Sequence, residues 1–261
     1  SRLLKLDGET TAHALSSAST LCGGLINGGA EGPSCRHLLY GWSASSGVQS
    51  ALAAYEGFTG PSAGFEEERG LYASRGCTVD EGKVLGGIGT DYLMKGVLPK
   101  RFASAMQIQA GIAAFLELVS EHSLSIEDIE KVTVYLPAKA LIVVKSSGAV
   151  DNHTQAAADG RYLIAAAAVD GQVLPAQFEH AKIHNKDIRS FMDKVSVKED
   201  KDLEKYGDNW PARVEINAKG KTLVKELANW CSDDISEREK ICIDKFMAAT
   251  RDAMSREKAK E

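Results

Sequence analysis

Apolar and polar positions recur with two different periods along this chain, and the changes of period divide it into parts. Near the start, Ala14, Leu15, Ala18, Leu21, Cys22, Leu25 and Ile26 fall on one wide helical face behind a cap-forming Asp/Thr cluster at 7–11. The pairs Gly23-Gly24 and Gly28-Gly29 break or end that helix. A second helix is expected over 48–55, where Val48, Ala51, Leu52, Ala53, Ala54 and Tyr55 give a small-residue, apolar surface suited to close interior packing. It is preceded by Arg36-His-Leu-Leu-Tyr-Gly-Trp-Ser-Ala-Ser-Ser-Gly47, which sets two basic side chains before a glycine turn, and its caps are expected from the serines at 43, 45 and 46. A positive charge at the mouth of a buried helix suits an anionic small molecule. The plainer alternative is a loop whose Arg36 and His37 face water.

Segment 65–70 reads as a solvated charged turn. From 76 to 96 the chain is glycine-rich, and Gly86-Gly-Ile-Gly89 alone is weak ground for a phosphate loop. Helical spacing returns with Ile108, Ile112, Phe115, Leu116 and Val119. It gives way to two-residue alternation over 131–136, the pattern of a half-buried strand. An alanine-dominated helix over 154–169 is interrupted at Asp159-Gly160 and ends at Asp170-Gly171. A helix over 185–195 and a short strand over 195–197 come next. Alternating segments 213–217 and 221–225 flank Lys219-Gly220 as a hairpin. Ser236-Glu-Arg-Glu239 then reads as a capping box before a closing helix with Ile241, Ile243, Phe246, Met247, Ala249 and Met254. Residues 256–261 form a charged, frayed end. The order predicts an α+β fold: a mostly helical domain, a smaller α+β domain with helices on one face of a small sheet, and a returning C-terminal helix.

Composition narrows the function classes. The 261 residues carry 36 acidic against 31 basic side chains, a net charge of −5 that argues against nucleic acid or an anionic membrane surface as partner. Five scattered cysteines form no CxxC pair, so neither a disulfide framework nor a zinc knuckle is indicated and a reducing compartment is the default. No apolar run is long enough to span a membrane. The chain begins Ser1-Arg-Leu-Leu-Lys-Leu-Asp7 without methionine or signal peptide and reads as if entered partway through a domain.

Familiar catalytic patterns are missing from the sequence. His180 and His184 are four apart without the glutamate of HExxH and read as exposed helix histidines. No GxSxG elbow and no His/Cys/Asp cluster with metal spacing is present. Lys100, just ahead of a buried helix, has the wrong sign for the helix dipole and either reaches solvent or meets an anion. Tyr162, within an alanine run, needs a hydroxyl partner if buried, and a structural hydrogen bond is the commoner outcome.

Three stretches taken together resemble the MmgE/PrpD family, which includes 2-methylcitrate dehydratase, cis-aconitate decarboxylase and iminodisuccinate epimerase. They are Arg36 through Pro61, Lys100-Arg-Phe-Ala-Ser104 through Gln109-Ala-Gly-Ile-Ala-Ala114, and Asp159-Gly-Arg-Tyr162 through Gly171. Asp128-Ile-Glu-Lys-Val132 and Trp210-Pro-Ala-Arg-Val214 add weaker support. The resemblance implies a partial helical domain over 1–97, an α+β lid over 98–229, and a final helix over 230–261 that returns to the helical domain. It further implies a site in the cleft between domains and homodimers formed through the helical domain. The implied chemistry uses no metal and no cofactor: basic side chains hold a di- or tricarboxylate while other residues move protons. By the resemblance, Arg36, Lys100 and Ser104 bind substrate, while Lys100, Tyr162 and His37 are catalytic. The implied activity is that of a lyase, dehydratase or decarboxylase, in the cytoplasm or the mitochondrial matrix. The alternatives are an epimerase on the same fold and a truncated, non-catalytic binding member.

Two departures stand out. Arg36 occupies a position where the family often has lysine, and an arginine does not release a proton near neutral pH. The family's earlier acidic and histidine residues have no counterpart in the sequence, which leaves its acid–base set short.

Overall fold

A computed structural model describes residues 1–21, 35–144, 148–231 and 234–250, without the side chains of residues 35–37 and 95. Cys22, Leu25, Ile26, the glycine pairs at 23–24 and 28–29, Met254 and the charged end lie outside the described residues. The chain divides into two compact units, one covering 1–29 and 33–97 and the other 98–261 together with 30–32.

The described part of the first unit is helical. Helix α1 (Gly8–Leu21) is entered through Asp7, whose carboxylate accepts from the Thr10 amide at 2.8 Å. Helix α2 (Cys35–Tyr55) packs on it. The expected glycine turn is absent from the structure: α2 runs unbroken through Gly41 and Gly47, so Arg36 and His37 belong to its first turn. Its serines serve the helix from within, as Ser43 Oγ donates to the Leu39 carbonyl at 3.0 Å. Nor is the helix fully buried. Its seam against α1 uses Ser46, Ser50, Ala51 and Ala54, while Leu38 and Trp42 are 73% and 63% exposed. Small side chains let the two backbones approach closely, and that contact leaves the bulky residues outside it. Beyond α2, residues 57–97 carry only short turns, including single helical turns at Leu71–Ser74 and Glu81–Leu85. The glycines of 86–89 fall in exposed turn structure.

The second unit is α+β. Its sheet has the order β2-β1-β3-β4, built from β1 (Ile129–Leu136), β2 (Val195–Glu199), β3 (Ala212–Ala218) and β4 (Lys221–Leu227). Strand β1 is central, parallel to β2 with Val132 opposite Val195 and antiparallel to β3 with Val134 opposite Val214. Two-residue alternation is clear in β3, where Ala212, Val214, Ile216 and Ala218 are buried and the residues between them are not. Being interior, β1 also buries Thr133 and so departs from strict alternation. The β3–β4 hairpin turns at Lys219-Gly220, both with positive φ.

Helix α3 (Gln109–Glu121) lies across β1, β3 and β4, and α4 (Gly160–Asp170) lies on β2 and beside α3. The α4 residues Tyr162 to Ala167 and the α3 residues Ala110 to Phe115 are all buried. Asp159 caps α4, accepting from the amides of Arg161 at 2.9 Å and Tyr162 at 3.1 Å. Gly160 permits close approach to the sheet, because a Cβ there would sit 2.7 Å from Val197 Cγ2. The helix ends at Gly171, with φ of 68°. The expected 154–169 helix is therefore two pieces, a turn at His153–Ala156 and α4, divided where Asp159 starts a new cap. Helix α5 (Lys186–Met192) packs on α4 and is capped by Asn185. The link from β1 to its parallel neighbour β2 thus carries helices, as parallel pairing requires.

Helix α6 (Ile235–Ala249) is capped by Asp234 rather than by a box starting at Ser236. Asp234 accepts from the Ser236 amide at 2.9 Å and, one residue before the helix, occupies the position a cap must take. In the structure α6 groups with the second unit, whose core receives Ile241. No helix among the described residues is long and apolar enough to cross a membrane.

Candidate functional site

Lys100 stands on an extended segment that several elements hold in place. The indole of Trp230 donates to the Pro99 carbonyl at 3.1 Å, and the Lys245 ammonium to the Lys100 carbonyl at 2.8 Å. The Ala103 amide donates to Val173 at 2.9 Å and the Ala105 amide to Ala157 at 3.0 Å. Gln109, the first residue of α3, completes the attachment. Its Oε1 accepts from the Phe102 amide at 2.9 Å, while its Nε2 donates to the Phe102 carbonyl at 2.9 Å and to Ser104 Oγ at 2.8 Å. Gln109 has no exposed surface, so these bonds form where water cannot replace them.

On this fixed segment Lys100 is exposed, its ammonium donating to the Ser104 carbonyl at 3.0 Å. It is not at a helix start as expected. The 3-10 turn Met106–Ile108 intervenes before α3, which removes the argument from the helix dipole. A flexible cation resting on one carbonyl can leave it for a carboxylate, and fixed backbone beneath it limits where it can reach. Ser104 is buried, with its hydroxyl accepting from Gln109 and donating to the Ala105 carbonyl at 3.3 Å. The structure thus brings Lys100 and Ser104 together, with the serine anchoring the loop rather than presenting its hydroxyl.

Tyr162 lies elsewhere in the same unit. It is fully buried on α4, tilted against Phe178, and its hydroxyl donates to the Gln177 carbonyl. Burial, reinforced by the nearby negative Asp170, pushes its pKa up to about 12. At neutral pH this phenol stays protonated and hydrogen-bonded within the core, the structural outcome weighed above. Arg36 and His37 belong to the first unit, on the first turn of α2, and their side chains lie outside the described residues. His180 and His184 are exposed around the short turn His180–Ile183, their rings 4.4 Å apart.

Two residues passed over in the sequence matter most to Lys100. One is Gln109, whose sequence signal is a lone amide ahead of the apolar run from Ala110 to Leu116. The other is Lys245 on α6. Burial lowers its pKa, and the positive charge of Lys100 lowers it further, against a smaller opposing influence from Cys242. Two ammonium groups close enough to feel each other form a local positive field suited to an anion. Among the described residues no group of three or more His, Cys, Asp or Glu is placed to hold a metal ion.

Comparison with known proteins agrees with the division into units. The MmgE/PrpD N-terminal domain matches residues 1–77 and the MmgE/PrpD C-terminal domain residues 102–261. The change of domain therefore falls between 77 and 102, where the two compact units also meet in sequence. No curated protein matches the chain. With both domains matched in order over most of its length, the chain belongs to the MmgE/PrpD family.

Proposed function

We propose that this chain acts as a metal-independent lyase, a dehydratase or decarboxylase, on a small di- or tricarboxylate such as 2-methylcitrate or cis-aconitate. The observation that carries this proposal is Lys100: an exposed ammonium on a multiply anchored segment, beside a second lysine, in a chain with both MmgE/PrpD domains. Lys100 binds a substrate carboxylate and holds it as a proton moves. The family resemblance assigns carboxylate binding to Arg36 and proton transfer to His37 within the first unit, and homodimers and a reducing compartment complete the proposal.

Lys100→Ala tests it by titration with 2-methylcitrate and cis-aconitate alongside a turnover assay. A charge-assisted hydrogen bond contributes about 1.5–3 kcal/mol, so affinity is expected to fall roughly 10- to 100-fold. Unchanged binding and turnover would sink the assignment. One observation favours a second proposal, a binding member without turnover. Tyr162 and Ser104 both have their hydroxyls engaged inside the second unit, so neither is poised for acid–base work there. Substrate binding with no turnover in the same assay selects that alternative.

A further inference from the structure

Helix α6 turns an unusual stripe toward its own unit. Glu237, Lys240, Ile241, Asp244, Lys245 and Ala248 recur at helical spacing and line one wall of a cavity of about 370 Å3. A helix ordinarily presents an apolar stripe to the body it packs on, yet four of these six side chains ionise. Ile235, Ile243 and Phe246 of the same helix are exposed instead. The facing wall comes from Arg101, Phe102 and residues 171–174, with Leu116 from α3. Phe102 and Val173 are buried there, and Leu116 and Ile241 pack against the core, so the cavity has an apolar floor beneath a charged rim.

Three cations, Arg101, Lys240 and Lys245, and two carboxylates, Glu237 and Asp244, line the cavity, an excess of one positive charge. Among the described residues none of the three cations is in an ion pair. Lys245 is partly buried, and among the described residues its ammonium is hydrogen-bonded only to a backbone carbonyl, which supplies no negative charge. The direction of its pKa shift agrees: its charged form is disfavoured where it sits, and an anion would reverse that. Such a volume lies near the low end of small-molecule sites, which span about 300–1,000 Å3.

We infer that this cavity binds a small organic anion, a monocarboxylate whose head pairs with Lys245 and Lys240 and whose apolar body lies on the half-buried Leu116, Leu174 and Ile241. The site shares Lys245 with the surroundings of Lys100, whereas Lys240 belongs to this cavity alone, and its test requires neither a polycarboxylate nor turnover. Calorimetric titration of the full chain with hexanoate, hexylammonium and inorganic phosphate decides it. Saturable one-to-one binding of hexanoate is expected, stronger than that of either other probe. It should weaken about tenfold or more in Lys245→Met and in Lys240→Met, each the loss of one charge-assisted contact. Lys240 is exposed, so its substitution reads out the site without disturbing the fold. Absence of hexanoate binding up to about 10 mM overturns the inference. Preference for hexylammonium overturns its sign, equal binding of phosphate overturns the apolar contact, and unchanged affinity in both variants overturns the placement.

Discussion

Replacing Gln109 by methionine keeps the side-chain volume nearly constant and removes three hydrogen bonds at once. The Phe102 amide and carbonyl lose partners at 2.9 Å each, and Ser104 Oγ loses a donor at 2.8 Å but keeps its bond to Ala105. Phe102 and Ser104 are 4% and 5% exposed, so water does not replace the lost groups without local opening. Leaving a buried polar group unsatisfied costs about 1–3 kcal/mol, and two such groups give roughly 2–6 kcal/mol. That is a large part of the 5–15 kcal/mol typical of a folded domain. Urea unfolding followed by far-ultraviolet circular dichroism measures it. With a denaturant slope of about 2–3 kcal/mol per molar, the midpoint of the transition carrying the second unit should fall by roughly 1–3 M. The anchored segment also carries Lys100, so the variant should bind polycarboxylates more weakly even in the absence of urea. A stability change below about 0.5 kcal/mol would refute the reasoning, because it would mean that Gln109 fills space without holding the loop.

Tyr162→Phe leaves the buried Gln177 carbonyl without its donor and should cost about 1–3 kcal/mol in the same unfolding assay. The folded pKa near 12 lies above the roughly 10 of an unfolded tyrosine, so between those values the unfolded chain binds fewer protons. The stability Tyr162 contributes through this shift is therefore complete below about pH 10 and lost as pH rises through about 12. An ultraviolet difference titration of the native protein against the variant should show one phenol ionising late, and ionisation near pH 10 would contradict its burial. Asp159→Ala removes the α4 cap and the partner of Arg161 Nη2 at 2.7 Å, whereas Asp159→Asn keeps a capping oxygen. The alanine variant should lose at least about 1–2 kcal/mol and melt below the asparagine variant; equal melting temperatures would remove the cap from the account.

The sheet and its helices were legible because their signals were local. Expected strands at 131–136, 195–197, 213–217 and 221–225 each became a strand, longer by a residue or more at one end or both. The break at Asp159-Gly160 was equally readable, since a cap and a glycine act within a single turn. In α2 the glycines at 41 and 47 suggest a turn, whereas its leucines, serines and alanines together sustain a helix through both. Its exposure is hidden for another reason. Apolar character indicates what a side chain favours but not which neighbour is present, and small residues took the seam with α1. The surroundings of Lys100 are hidden because Gln109 holds the backbone of Phe102 across seven positions and Lys245 that of Lys100 across 145, and hydrogen bonds to backbone leave no pattern in side-chain types. The engaged hydroxyls of Tyr162 and Ser104 were hidden in the same way.

The place of β1 at the centre of the sheet has a cost in time. Its Tyr135 meets Glu215 of β3 across 80 positions of sequence. A ribosome adding about 5–20 residues per second delivers that partner some 4–16 s after β1 has emerged. For most of that interval one of the most apolar strands of the chain has neither neighbour, since β2 is made only when Val195 follows Val132 by 63 positions. Glu130 and Lys131, the exposed pair near its start, put opposite charges beside the apolar run during the wait. Substituting them with apolar residues would leave the finished sheet almost untouched while making its synthesis more prone to aggregation.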